Sequence, residues 1–299
     1  MKLLFTGASG FLGQNVKPIL VKNYQVKTLG LTDTDDIVSD LALEVSTLSE
    51  SYDIVFHAAG KAHSVPKTEA EKQVFFDVNY QGTVNLCKAL EACDTLPRAL
   101  VFVSTVAVYG LDFGSNITEQ HPLKGDTPYA LSKIQAEEYL TKWCTKHNII
   151  LSIIRPSLIA GSNAPGNLGA MVQGIQAGKY LSIGKGAARK SVLMVQDIAT
   201  LIPLLVEKGG IYNVCDDTQP SFRELETIIS NQLGKKKPKS IPFFVAKAMA
   251  LIGDLLGPKV PINSLKLKKI TESLTFSNAK AKKELGWKPL SVLKNYKIK

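Results

Sequence analysis

The sequence predicts an α/β fold, built on a doubly wound parallel sheet with a smaller C-terminal lobe. Three observations predict it. The chain opens on a short apolar run, Lys2 to Thr6, followed at once by Gly7, Gly10 and Gly13 and then by a helical stretch from Gln14 to Lys22. Through the first half, buried strands alternate with helices, the pattern of a parallel sheet covered on both faces. From about Gly161 glycines and prolines become frequent (Pro165-Gly166, Gly169, Gly174, Gly178, Gly184, Gly186). That suits a loop-rich lobe over the C-terminal ends of the strands, where open α/β sheets bind ligands.

Each element follows from local pattern. The strand, glycine turn and helix start at 2–22 form a Rossmann-type dinucleotide fingerprint, spaced G-x-x-G-x-x-G. Glycine permits the tight turn and the close approach of backbone to ligand. Backbone N–H groups and the positive end of the helix dipole hold an anionic pyrophosphate. Gly7, Gly10, Phe11, Leu12 and Gly13 are therefore cofactor-binding candidates. Gln25 to Leu31 reads as the second strand and Asp53 to His57 as a core strand. The link from the second strand to the Ser39-Asp40-Leu41 region is short, and its crossover helix is expected to be missing or reduced to a turn. Glu69 to Cys93 reads as helix, Ala99 to Ser104 as strand, Tyr129 to His147 as helix and Ile149 to Ile154 as strand. Met194 to Val206 reads as buried helix and Gly210 to Cys215 as core strand. Ser221 opens a helix, with Glu224 completing a capping box. Phe243 to Leu256 is apolar apart from Lys247 and Asp254. It reads as a core or interface helix, with a membrane surface as the alternative. The division expected is a dinucleotide-binding domain at 1–160 and a mostly substrate-binding lobe at 161–299, with 190–216 returning to the first.

Composition excludes several classes. The 299 residues allow one large α/β domain plus a small lobe. No apolar run reaches the ~18 residues of a transmembrane span. The fingerprint lies within the first residues, which leaves no place for a signal peptide and implies a cytoplasmic protein. Cys87, Cys93, Cys144 and Cys215 form no metal or redox spacing and read as reduced. The net charge of +10 is local: residues 235–299 hold 16 lysines and three acidic residues, and no arginine. Base readout favours arginine and stacking favours aromatics, so no nucleic-acid partner is expected. A solvated lysine face is the plain reading; attraction to an anionic membrane surface or a phosphorylated substrate is the alternative.

The chemistry lies in Tyr129-Ala130-Leu131-Ser132-Lys133. Free tyrosine titrates near 10, too high for ready proton exchange at neutral pH, and a nearby cation lowers it. Lys133 lies one helical turn after Tyr129 on the same face. Ser104-Thr105 ends a core strand at the edge where a dinucleotide sits, and supplies hydroxyls for a substrate oxygen. His57 reads as a strand-end core histidine and His63 as a polar loop residue near the cofactor edge, with a metal or acid/base role for either as the alternative; Lys61, in the same loop, is placed to contact a substrate.

Here the chain resembles a family, the extended short-chain dehydrogenase/reductases that act on nucleotide sugars. The matching segments are TGASGFLG at 6–13, VFHAAGKAH at 55–63, DVNYQGT at 77–83, FVSTVAVYG at 102–110, PYALSK at 128–133, IIRPSLIAG at 153–161, PGNLGAM at 165–171 and KAKKELGWKP at 280–289. The resemblance implies Tyr129 as acid/base, Lys133 as its partner, and Thr105, with Ser104 beside it, as the substrate-orienting hydroxyl. It implies Ala58, Ala59 and Gly60 along the cofactor wall, with Asp40 and Leu41 beside the adenine. Asn79 supports the proton relay, and Pro156 is a further cofactor contact. His63, Asn167 and Leu168 line the substrate, and Arg189 or Lys190 grips the sugar diphosphate. A homodimer formed through the helix after Glu69 and the helix of Tyr129 is implied as well.

Two departures bear on the reaction. Where NAD-bound epimerases of the family end the second strand in Asp, this chain has Gly30, with Asp33 three residues on as a substitute should the loop curl back. Loss of that carboxylate slightly favours NADP(H) over NAD(H). The short connection that follows resembles the family's 4-keto-sugar reductases. The expectation is hydride transfer at C4 of a UDP-sugar, foremost reduction of a UDP-4-keto-6-deoxy-N-acetylhexosamine in surface-polysaccharide synthesis. A UDP-hexose or N-acetylhexosamine 4-epimerase with tightly bound NAD is the alternative, and a non-catalytic dinucleotide sensor the remote one. A dehydratase is disfavoured, because Val106-Ala107 follows Thr105 where the family places Asp-Glu.

Overall fold

The computed structural model describes residues 1–62, 64–256 and 262–298. Its strands, in chain order, are β1 (Lys2–Thr6), β2 (Gln25–Gly30), β3 (Ile37–Val38), β4 (Ile54–His57), β5 (Ala99–Val103), β6 (Gly114–Ile117), β7 (Ile150–Pro156), β8 (Leu158–Ala160), β9 (Ser182–Ile183), β10 (Val192–Met194), β11 (Gly210–Val214), β12 (Ser240–Ile241) and β13 (Leu274–Phe276). Seven of them form one parallel sheet in the order β11-β7-β5-β4-β1-β2-β3. The order reverses beside β1, which opens the crevice where such sheets hold their ligands.

Alternation along the strands separates two cores. Leu3, Phe5, Ile54 and Phe56 point to one face, against Val16 and Leu20 of helix α1 (Phe11–Leu20) and against Ile198, Ile202 and Leu205. Leu4, Val55, Leu100 and Phe102 point to the other, against Leu86, Leu90, Ala136, Leu140 and Trp143. These last five lie on two long helical segments. One is α2 (Glu69–Phe76) continuing into α3 (Gly82–Glu91); the other is α4 (Pro128–His147). Each fully buried Leu or Phe contributes roughly 1.5–3 kcal/mol.

The expected absence of a helix after β2 holds. The return to β3 takes six residues, and side chains make it possible. The Asp36 carboxylate accepts from the Thr28 backbone N–H at 2.9 Å and from its hydroxyl at 3.0 Å, while the Asp36 N–H donates to the same hydroxyl. The turn is thereby folded back along the edge of β2.

The helix expected over Glu69 to Cys93 contains a π-turn at Asp77–Gln81, between α2 and α3, and Asn79 is buried in it. A single π-turn widens a helix locally and re-aims one side chain. Beyond the sheet lie α5 (Gly166–Gln176), α6 (Val195–Lys208), α7 (Phe222–Gln232), α8 (Phe243–Leu256) and α9 (Ser264–Thr271). Ser221 caps α7 in a full capping box with Glu224.

Helix α8 departs from the core half of the expectation. Its buried residues are the small Ala246, Ala250 and Gly253, beside Ile183 and Leu267. Its large apolar residues are exposed, with Phe244, Leu251 and Leu255 on the far side. The chain end is tied back to the sheet by two buried carboxylates. Asp197 accepts from Leu290 N–H, and Asp216 from Val292 N–H at 2.7 Å.

Candidate active site

The C-terminal ends of β1, β2, β4, β5 and β7 meet at one edge of the sheet and deliver Gly7, Gly30, Ala58, Thr105 and Pro156 to it. Gly7 has φ +78°, and a Cβ there would lie 2.6 Å from the Ala59 nitrogen. A Cβ on Gly13 would strike Ala8, so this glycine brings α1 onto the turn. No side chain caps α1, and its first turn carries no acidic residue. The unpaired N–H groups of that turn are therefore available to an anion. This cradle fits a dinucleotide pyrophosphate. The Phe11 side chain packs into two cores instead, which leaves its N–H as the group that faces the turn.

One hydrogen-bonded chain joins the glycine turn to the π-turn. Thr6 Oγ1 meets His57 Nδ1 at 2.6 Å, His57 Nε2 meets Thr83 Oγ1 at 2.9 Å, and Thr83 donates to Asn79 O at 2.7 Å. Burial pushes the His57 pKa down to about 3, helped by the charge of Lys133. A neutral imidazole suits this chain, and His57 is structural, as expected. The Asn79 side chain accepts from Lys61 N–H at 2.8 Å and donates to Lys61 O and to Ser132 Oγ. It thus fixes the loop after Gly60. A Cβ on Gly60 would lie 2.9 Å from Asn79 Oδ1 and 3.1 Å from Lys133 Nζ, so only glycine leaves this space open.

Tyr129 and Lys133 lie on the first turns of α4, which Thr127 caps. The Tyr129 ring is 6.3 Å from that of Phe75. Burial raises its pKa, and interaction with the Thr105 hydroxyl draws it back. Thr105 Oγ1 accepts from Ala107 N–H at 3.1 Å, which leaves its own hydroxyl proton to donate. Lys133 donates to Val103 O at 2.9 Å, and its Nζ lies 4.6 Å from the Phe102 ring centre. Burial pushes its pKa down to about 8, and the Glu137 carboxylate one turn on opposes that fall.

Ser104, Leu168 and Arg189 are directed elsewhere. Ser104 is turned inward, where its hydroxyl donates to Glu137. Glu137 in turn pairs with Arg155, which donates to Tyr109 OH at 3.0 Å; Tyr109 donates to Asn213 at 2.7 Å. Ser104 therefore anchors a buried network beneath the site, and Thr105 is the hydroxyl at Tyr129. Leu168 is a core residue, packed with Ala160, Met171, Leu225 and Ile229, because the α5 face that carries it turns inward; its neighbour Asn167 is exposed. Arg189 is engaged by Gln219 O and Glu224, 3.4 Å away. Lys190 is half-buried, with its pKa lowered by desolvation, and remains as the cation near that position. Asp40 caps its own turn through Ala42 N–H, and Leu41 O accepts from Asn85. His63 lies outside the described residues.

The structure adds a residue that sequence reasoning missed. A Cβ built on Gly30 would lie 2.5 Å from Asp35 Oδ2. Asp35, not the exposed Asp33, curls back over the end of β2. Thr32 holds it there, donating its N–H at 3.2 Å and its hydroxyl at 2.7 Å to Oδ2. The signal was Thr32-x-x-Asp35, a hydroxyl and a carboxylate spaced to close one turn.

Such a fold and site define a nicotinamide-dinucleotide-dependent enzyme of the extended short-chain dehydrogenase/reductase type. Residues 3–215 match the NAD dependent epimerase/dehydratase family, and the chain belongs to that family. It is 29% identical to an N-acetyl-alpha-D-glucosaminyl-diphospho-ditrans,octacis-undecaprenol 4-epimerase of Escherichia coli O157:H7, over 93% of this chain and 88% of that protein. It is 27% identical to a GDP-6-deoxy-D-mannose reductase of Pseudomonas aeruginosa, over 77% of this chain and 79% of that one. In fold it is similar to a UDP-glucose 4-epimerase of Thermotoga maritima, solved with UDP-glucose (TM-score 0.74, 19% identity, 99% and 96% of the two chains). It is also similar in fold to RMD of Pseudomonas aeruginosa, solved with NADPH (TM-score 0.73, 22% identity, 99% and 96%), and to the Thermus thermophilus UDP-glucose 4-epimerase, solved with NAD (TM-score 0.71, 22% identity, 97% and 94%). Among the described residues no helix is long and apolar enough to cross a membrane.

Proposed function

We propose that this protein is an NAD-retaining 4-epimerase of a hexose or N-acetylhexosamine carried on a diphosphate. The observation that carries the reading is the Asp35 carboxylate at the end of β2. At that place in a dinucleotide fold an acidic side chain, about 20 residues past the glycine turn, accepts hydrogen bonds from the adenosine ribose. The same charge repels a 2′-phosphate, which favours NAD(H) over the NADP(H) expected from Gly30 alone. An epimerase returns the hydride it takes, so it works with one retained NAD and no exchange with a reduced pool. The 4-epimerase named among the relatives supports the same reading.

A nicotinamide dinucleotide held over the turn of Gly7, Gly10 and Gly13 would supply the acceptor and donor of hydride at C4. The remaining work belongs to the chain's own groups. Tyr129 takes the proton of the C4 hydroxyl as the hydride leaves and gives it back after the keto sugar has turned over. Thr105 donates to the same oxygen while it carries charge. Lys133, one helical turn on, supplies the cation that favours the phenolate, and Asn79 fixes the loop after Gly60. Lys190 supports recognition of the diphosphate, and exposed Val74 and Leu131 on α2 and α4 support a homodimer through those helices.

The test is inversion without added cofactor. Purified protein is mixed with UDP-N-acetylglucosamine or UDP-glucose and the C4 configuration followed by NMR, while nucleotide released on denaturation is identified. Inversion with NAD in the released fraction supports the proposal. Stoichiometric NADPH oxidation with a UDP-4-keto-6-deoxy-N-acetylhexosamine, and no inversion, replaces it with the 4-ketoreductase, the reading that the reductase relative favours.

A further inference from the structure

Helix α8 leaves an apolar face unpartnered. Phe244, Leu251, Ile252 and Leu255 are 73%, 55%, 57% and 88% exposed. At 100° per residue, Phe244, Ala248, Leu251 and Leu255 recur at i, i+4, i+7 and i+11 and form one stripe. The packed residues Ala246, Ala250 and Gly253 lie on the opposite side. The helix is therefore held by its small face while its large face looks outward. An exposed stripe of this kind marks an interaction site.

Charge selects the occupant. Lys235, Lys236, Lys237 and Lys239 are exposed in the segment leading into the aromatic end of α8. Among the described residues, none of these four side chains has a hydrogen-bond or ion-pair partner. The whole span 235–299 carries 16 lysines against three acidic residues. A symmetric pairing of two copies through α8 would set one such lobe against another of the same sign. An anionic lipid surface instead accepts both features, the apolar stripe below its headgroups and the lysines among them.

We propose that α8 docks this protein, peripherally, on an anionic phospholipid surface, with Phe244, Leu251, Ile252 and Leu255 as the inserted residues and Lys235–Lys239 as the electrostatic flank. The helix has 14 residues and lies in the interface plane rather than spanning it. The docking rests on α8 and its flank alone, and stands whichever reaction the cleft performs.

The test is flotation of the full-length protein with phosphatidylcholine vesicles, with and without phosphatidylglycerol. Expected is at least about ten-fold more protein on the anionic vesicles at low salt, falling as salt is raised. The combined Phe244→Glu, Leu251→Glu and Leu255→Glu variant should lose this binding with its melting temperature unchanged, since all three side chains are exposed. Replacing Lys235, Lys236, Lys237 and Lys239 by Gln should weaken it at low salt. Three results would each overturn the proposal: no flotation on either vesicle, equal flotation on both, or binding that survives the triple variant. A concentration-dependent dimer that the triple variant dissolves, with no vesicle binding, would also overturn it and assign the face to a second copy.

Discussion

The Asp35 carboxylate occupies the space that a side chain at Gly30 would take, 2.5 Å from the position of its Cβ. The end of β2 thus carries an acid although its own residue has no side chain. Gly30→Ala must push Asp35 off this perch, and Asp35→Ala removes the charge outright. Each should weaken NAD binding about ten- to hundred-fold, the worth of a charge-assisted hydrogen bond, and narrow the gap to NADP. Calorimetry with both dinucleotides decides it; unchanged NAD affinity in Asp35→Ala would leave Asp35 a loop residue only.

Tyr129 and Lys133 are one helical turn apart but hold different partners: Tyr129 meets Thr105 and Lys133 meets Val103 O. On the proposed role of Tyr129 as the proton acceptor, Tyr129→Phe should lower kcat about 10²- to 10⁴-fold while cofactor stays bound. Lys133→Met should lower kcat as far. It also removes the donor to Val103 O, so a melting-temperature loss should accompany it. Turnover by Tyr129→Phe within a few-fold of the parent would remove Tyr129 from the proposed chemistry.

Ser104 and Thr105 are neighbours whose hydroxyls meet different partners, Glu137 and Tyr129. Ser104→Ala deprives Glu137 of one donor but leaves it paired with Arg155. The expected cost is about 1–2 kcal/mol of stability, with kcat changed little. Thr105→Val should lower kcat about 10²- to 10³-fold, and because it also removes the acceptor of Ala107 N–H its stability cost should be about 1 kcal/mol as well. The pair is separated by measuring denaturation and kcat on both; equal kcat losses would return Ser104 to the reacting centre.

Much of this arrangement is legible in the residues. The glycine turn, the Tyr129–Lys133 spacing, the alternation of strands and helices and the missing helix after β2 are local patterns, and local patterns read directly. What escapes depends on partners distant in sequence. Ser104 is turned inward by Glu137, 33 residues on, and Leu168 is drawn into a core completed by Leu225 and Ile229. The Asp77–Gln81 π-turn is set by backbone geometry that no periodicity reports, and the return of Asp35 by the side-chain and backbone bonds of Thr32. Helix α8 reads as core by composition, yet its small residues face inward and its large ones outward.

Asp197 gives stability a pH dependence of its own. Burial raises its pKa to about 7, with the nearby Asp216 charge adding and the Leu290 N–H opposing. An ordinary Asp titrates near 3.9. Between about pH 4 and 7 the folded chain therefore keeps a proton that the unfolded chain has released. The stabilisation is complete below about pH 4 and is lost as pH rises through about 7. His57 runs the other way: with its pKa pushed down to about 3, its contribution is complete above about pH 6.5 and is lost as pH falls. The two limbs overlap, so one melting curve cannot separate them, but a variant can. Asp197→Asn keeps an acceptor for Leu290 N–H and does not titrate. Its stability relative to the parent should climb between pH 4 and 8 by on the order of 3 kcal/mol, on top of any constant offset from the new amide. Urea denaturation of both proteins at pH 4.5, 6 and 8 measures that climb; parallel curves would mean that the Asp197 carboxyl is already ionised in the folded protein at pH 4.5.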